Sequence, residues 1–289
     1  MTIKRVDNIA CVVKMKKSTR LLLLCFFTLL LAFSLWRLWG IYTAYREGKD
    51  HYNTLEQYVS ISEDPSGEET IPSMPISSGN PAVNNTIAAD TVDVSAWPQV
   101  DFSQLAQINS DIVGWIYIDG TKINYPVVQA ENNRYYLNRL FDGSYNASGC
   151  IFLDCRSSSD FSDRHSILYG HHMKDNSMFA GLVQYKQQVF YDEHPVALLI
   201  TPEAYYKIQF FSGYVSDTWS DAWDLGIPEH EYISWLRDIQ EKSCFEAESF
   251  PGKKDRIITL STCTYEFDTA KFILHGYISE SIKNTSLAE

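Results

Sequence analysis

No basic patch follows the opening of this chain, whose formal net charge is −12. Phosphate binding needs clustered Lys and Arg, so composition argues against nucleic acid as a partner. The six cysteines are Cys11, Cys25, Cys150, Cys155, Cys244 and Cys263, and none has the C-x-x-C spacing of a metal site. They do not indicate a disulfide framework either. Cys150 and Cys155 could pair across a bend, although buried free thiols are the commoner outcome. Residues 61–96 almost lack aromatics and are rich in Ser, Pro, Asn, Thr and acids. Such a stretch has too little apolar surface to pack and reads as a flexible linker. No internal repeat is present.

Aromatics are plentiful elsewhere. The chain has 18 Tyr and 15 Phe, many of them between residues 115 and 277. That stretch is long enough to bury a core without disulfides. Near the amino terminus, residues 21–36 carry no charge, and the apolar character continues past Arg37 to Tyr42. A membrane span needs about 20 residues, and Arg37 can snorkel to the interface. Trp36, Trp39 and Tyr42 suit an interfacial belt. Lys4, Arg5, Lys14, Lys16, Lys17 and Arg20 precede the run against one acid, Asp7. The positive-inside rule then predicts a cytoplasmic amino terminus, with everything after residue 45 outside. No small-residue cleavage site follows, so the pattern predicts an uncleaved signal anchor.

Residues 41–60 have helix-forming composition and extend the anchor helix. From about Val100 the pattern changes. Residues 113–128 alternate apolar and polar around Asp119-Gly120, a strand–turn–strand signal. Residues 131–140 read as a short helix and 177–185 as one or two helical turns. Short strands are predicted at 148–154, 166–170, 196–201, 205–215, 255–263 and 270–278. Residues 229–242 have helical periodicity, with Tyr232, Trp235, Leu236 and Ile239 on one stripe. Many short strands with a few helices suggest a mainly β fold, a barrel with helical insertions.

Three features could carry chemistry. Residues 259–263, TLSTC, end a strand at Cys263, next to a loop. A nucleophilic thiol must be a thiolate with a histidine or cation beside it. Spacing alone favours an ordinary buried strand cysteine. Residues 169–173, YGHHM, put His171 and His172 in a loop, where acid–base work is possible and a solvated turn is commoner. A metal there lacks a third ligand nearby. Lys271, eight positions after Cys263, reaches the same site if the two strands are antiparallel neighbours. Its charge suits a developing oxyanion.

Taken in order, these blocks resemble a class B sortase. The resemblance covers about residues 99–280 and rests on 109–129, 135–154, 167–182 and 256–267, with TLSTC matching the sortase TLxTC motif. It implies an eight-stranded closed sortase-type barrel with helical insertions, preceded by a transmembrane helix. It also implies a Cys/His/Arg site. Carried over, the nucleophile is Cys263 and the acid–base histidine is His171, with His172 structural. Ser261 lines the substrate groove, and Tyr169 is a further groove candidate. The third member departs from the pattern: where close relatives read D-A-R-F, this chain reads T-A-K-F, so Lys271 stands at the arginine position. Lysine keeps the charge and loses the planar two-pronged donor. Arg256 and Arg164 lie near the motif blocks in sequence.

The expected organisation is a cytoplasmic basic segment (1–20), a transmembrane signal anchor (21–43), an extracellular helix and linker (44–98), a catalytic domain (99–283) and a tail (284–289). The resemblance implies a cysteine transpeptidase of the cell membrane with its catalytic domain outside. It would cleave a C-terminal sorting signal of a surface protein after Thr, through a thioacyl-enzyme. The acceptor would be a peptidoglycan precursor or a pilin lysine amine, with no cofactor and no metal. Two alternatives are a sortase-fold binding protein impaired by Lys271 and a cysteine hydrolase.

Overall fold

The computed structural model describes residues 17–60, 97–218 and 220–283. Most of the basic segment, the linker and the tail read from the sequence lie outside these residues. The chain divides between Glu47 and Gly48 into two compact units. A single helix, α1 (Lys17–Leu55), begins in the first unit and ends in the second. Its apolar stretch is long enough, by length and composition, to cross a membrane.

In the second unit the end of α1 packs against the barrel, with Gly48, Tyr52 and Leu55 buried. β1 (Val59–Ser60) then pairs antiparallel with β2 (Gln99–Val100). This unit begins at Gly48, and the helix end and β1 supply it with apolar and backbone contacts. α2 (Phe102–Ile108) follows, capped by the Asp101 carboxylate, which accepts from Gln104 N at 3.0 Å. No periodicity had marked so short a helix.

The remaining strands are β3 (Ile112–Tyr117), β4 (Asn124–Val128), β5 (Ile151–Leu153), β6 (His165–Tyr169), β7 (Val196–Ile200), β8 (Ala204–Ser216), β9 (Ile257–Cys263) and β10 (Lys271–Lys283). They close into an eight-stranded barrel in the order β10-β8-β7-β3-β4-β5-β6-β9. The β4–β5 and β6–β9 pairs are parallel and the other pairings antiparallel. Closure removes the free strand edges that would invite aggregation. The predicted helix at 131–140 shrinks to one 3-10 turn at Tyr135–Asn138. The segment at 177–185 is a 3-10 helix, Phe179–Lys186, and runs into an unpredicted short helix, α3 (Gln188–Glu193).

α4 (Tyr232–Glu241) buries the predicted stripe Tyr232, Trp235, Leu236 and Ile239 against Phe211, Tyr214, Ile257 and Ile273. Under α4 runs a buried polar chain. His165 bonds the Asp224 carbonyl at 2.8 Å and Thr259 Oγ1 at 2.7 Å. Thr259 Oγ1 in turn meets His275 Nδ1 at 2.7 Å. Burial pushes His165 down to about 4, and burial with repulsion from His165 pushes His275 well below its ordinary value.

Both rings are neutral when folded, whereas unfolded histidines protonate near 6.5. Below that pH the unfolded chain binds more protons, so stability falls as pH drops from about 6.5 towards about 4. Urea denaturation across this range should show the fall, and His275→Gln should flatten it. A flat stability profile down to pH 4 would contradict the linkage.

Candidate active site

β9 and β10 set the geometry of the site. Their antiparallel register puts Cys263 directly opposite Lys271, and opposed residues share a face. Lys271 Nζ donates to Cys263 Sγ at 2.9 Å. Ser261 lies two residues back from Cys263, hence on the same face of β9. It pairs in register with Tyr169 across the parallel β6–β9 seam. Gly170 N then donates to the Ser261 carbonyl at 3.1 Å. A Cβ at Gly170 would fall 2.5 Å from Ile151 Cδ1 and 2.7 Å from the Phe179 ring, so glycine lets the chain pass close against Phe179 just before His171.

Tyr169, His171, Ser261, Cys263 and Lys271 all line one cleft of about 310 Å³. Its walls also include Asn133, Leu137, Phe152 and Trp223. Arg256 and Arg164 are elsewhere. Arg256 donates to the Phe161 carbonyl and lies over the Tyr206 ring, and Arg164 lies over the Tyr232 ring. Lys271 is thus the one lysine or arginine among the described residues of the cleft.

The two histidines hold different posts. His172 Nδ1 donates to the Cys263 carbonyl at 2.8 Å, and its ring sits 5.0 Å from that of Tyr265. His171 Nε2 donates to the Leu137 carbonyl at 2.7 Å. No hydrogen bond joins His171 to Cys263, so the sulfur's partner is the lysine. The loop after Cys263 is pinned by an ion pair between Lys186 and Glu266, with Thr264 Oγ1 donating to Glu266 at 2.6 Å. Burial opposes ionisation of Glu266, but these two donors outweigh it and hold its pKa at about 2.

His171 also leans on a backbone seat. Gly149 has φ of +60°, and a Cβ there would come within 3.0 Å of the His171 ring and 2.6 Å of the Tyr136 carbonyl. The Gly149 carbonyl accepts from Tyr52 OH at 2.5 Å. The end of α1 therefore helps to shape the floor beneath His171. Tyr52, Gly149, Asn133 and Trp223 had no sequence signal. The left-handed glycine is the one of the four that turn chemistry could have suggested. Cys150 and Cys155 are both free thiols, and burial pushes Cys150 up to about 12, so it is a packing thiol. Among the described residues, no group of three or more His, Cys, Asp or Glu could hold a metal.

The last hairpin of the closed barrel thus sets a thiol against a cation, with a loop histidine lining the same cleft. No protein-family model matches the chain. Sortase B of Staphylococcus aureus is 38% identical over 163 residues, 56% of this chain and 67% of its relative. Sortase B of Listeria monocytogenes is 34% identical over 184 residues, 63% of this chain and 75% of its relative. Among solved structures, a Staphylococcus aureus sortase B–substrate complex superposes with TM-score 0.59 at 35% identity, over 64% of this chain and 85% of that one. Clostridium perfringens sortase B gives TM-score 0.59 at 28% identity, over 63% of this chain and 100% of that one. The chain belongs to the class B sortases.

Gly149→Ala tests the seat of His171. The left-handed backbone costs alanine about 1–2 kcal/mol, and the 2.6 Å approach to a carbonyl adds to it. A lowered melting temperature and a displaced His171 imidazole signal by NMR are expected. An unchanged imidazole signal would detach Gly149 from the histidine.

Proposed function

We propose that this class B sortase cleaves a C-terminal sorting signal after its threonine and joins the protein to an amine of a cell-wall precursor or a pilin. The observation that carries the reading is the 2.9 Å contact between Lys271 Nζ and Cys263 Sγ. The thiolate is the reactive form of cysteine, and an ammonium donor beside the sulfur is a suitable partner for it. The sulfur attacks the threonine carbonyl carbon and forms the C–S bond. The C–N bond to the next residue breaks, and the departing amine takes a proton from His171. An entering amine then attacks the thioester, returns a proton to His171 and releases Cys263, leaving a new amide.

The sulfur is bonded to Lys271 and His171 Nε2 to the Leu137 carbonyl, so the other ring nitrogen, Nδ1, is the one that serves the leaving and entering amines. Lys271 takes the post of the family arginine, with one mobile ammonium in place of a fork. Ser261 and Tyr169 line the groove for the signal, which in this family begins Asn-Pro or a near variant. No cofactor enters these steps. The apolar helix with its basic flank supports a single-pass anchor whose amino terminus is cytoplasmic. The barrel then works at the outer face of the membrane, where exported proteins and lipid-linked precursors both gather.

The full chain in detergent is expected to cleave fluorogenic peptides carrying an Asn-Pro, Ser-Pro or Pro-Pro signal. A glycine peptide as acceptor should shift the product from hydrolysed to joined, and a water-only product would argue for a hydrolase. Cys263→Ala should abolish cleavage. His171→Ala should lower kcat by about 10²–10⁴-fold, and Lys271→Ala by about 10²–10³-fold. Lys271→Arg should keep or raise activity. A wild type inactive until Lys271 becomes arginine would instead support a binding protein.

A further inference from the structure

Asp154, at the end of β5, is a fully buried carboxylate inside a protein of net charge −12. A buried charge persists only where donors saturate it. Its Oδ1 accepts from Arg156 N at 3.0 Å and Arg156 Nε at 2.9 Å. Its Oδ2 accepts from Arg156 Nη2 at 2.9 Å, Asn133 Nδ2 at 3.0 Å and Tyr169 OH at 2.9 Å. Burial alone would raise the pKa of Asp154, but the Arg156 and Tyr169 hydrogen bonds outweigh it and hold the carboxyl below its ordinary value. The group stays ionised at any pH where the enzyme would work.

Two of those donors, Asn133 and Tyr169, line the cleft that also holds Cys263. The Tyr169 hydroxyl is committed to Asp154, so the wall gains the ring and not the phenol. That ring sits 5.3 Å from Phe152 and stacks on Trp223 at 6.0 Å and 20°. Asn133 is also committed, since its Oδ1 accepts from Cys155 N at 2.8 Å. One amide N–H of Asn133 is left over from these bonds. The resulting wall is aromatic with a single spare donor. It suits a neutral, apolar residue of an extended peptide whose backbone carbonyl can accept that N–H.

We infer that Asp154, clamped by Arg156, is a positioning residue that sets the peptide-binding wall of the cleft through Tyr169 and Asn133. This role rests on the function proposed above. It touches neither the sulfur nor the histidines, so it governs peptide affinity and leaves the chemical step alone. Asp154→Asn keeps the shape and replaces some of the lone pairs with an N–H that faces donors. That releases Tyr169, Asn133 or both.

The test uses the full chain and a fluorescein-labelled peptide with an Asn-Pro signal. In the Cys263→Ala background, Asp154→Asn should weaken the Kd by about tenfold or more, the scale of a lost hydrogen bond to a charged group. In the active enzyme KM should rise in parallel. Both kcat and the rate of Cys263 alkylation by iodoacetamide should stay within about twofold of wild type, well under the roughly tenfold change that 1.4 kcal/mol makes. Tyr169→Phe should weaken binding in the same direction, and the double variant should bind no worse than Asp154→Asn alone.

An unchanged Kd, additive losses, or kcat and alkylation falling together with affinity would overturn the inference. If Asp154→Asn fails to fold, Tyr169→Phe and Asn133→Ala replace it, because each leaves the Arg156 clamp in place. Unchanged binding in both of these variants overturns the inference as well. A wild type that cleaves no signal peptide is a separate result: it overturns the proposed function and removes the basis of this role.

Discussion

The hairpin of β9 and β10 is the constraint on which the site depends. Cys263 and Lys271 are partners because the ladder pairs them, seven consecutive rungs from Lys271–Cys263 to Tyr277–Ile257 holding the register. A slip of one residue would turn Lys271 to the opposite face and leave the sulfur without its donor. The register is itself secured by burial. Phe272, Leu274, Leu260 and Ile258 are fully buried on one face and Ile257, Thr259, Ile273 and His275 on the other, so the same slip would exchange two differently packed sets of side chains. Core packing thus fixes, at no further cost, the distance between a thiol and an ammonium.

Around that hairpin the barrel uses buried polar groups as rivets. The chain from His165 through Thr259 to His275 ties β6, β9 and β10 beneath α4 and reaches the loop that carries Trp223. Asp154 does the same after β5, tying the end of that strand to the loop of Asn133 and to β6. One device is neutral and the other charged, and each is saturated with partners, as burial demands. Both end on residues that line or adjoin the cleft. The reacting groups therefore stand on a rigid base, while the loop after Cys263 is pinned separately by Lys186 and Glu266.

Much of this was legible in sequence where a period or a turn carried the information. The alternation around Asp119-Gly120 marked β3 and β4, and the spacing of Tyr232, Trp235, Leu236 and Ile239 marked α4. The TLSTC and YGHHM blocks pointed to Cys263 and His171 through resemblance, and spacing alone favoured a buried thiol. Asp154 was not legible, since an aspartate after a short strand usually faces water, and its burial depends on Asn133, Arg156 and Tyr169 arriving from three places. The end of α1 was legible as helix but its packing was not, because its contacts, Tyr52 with Gly149 and Gly48 beside Ser148, are about a hundred residues away in the chain. Residues 131–140 lost their helix because Asn133 and Tyr136 are bound to the barrel by side-chain hydrogen bonds that local propensity cannot weigh.

By itself, the sequence determined the order of strands and helices, the apolar amino-terminal helix and the presence of lysine where relatives carry arginine. The first two are local properties of composition and periodicity, and the third rests on the family resemblance. Only the tertiary structure decided that Lys271 rather than His171 holds the sulfur of Cys263, that no arginine among the described residues lines the cleft, and that Asp154 stands beneath its wall. Each of those facts is a distance between residues remote in the chain. Such distances are set by barrel closure and strand register, which exist only once the whole core has packed.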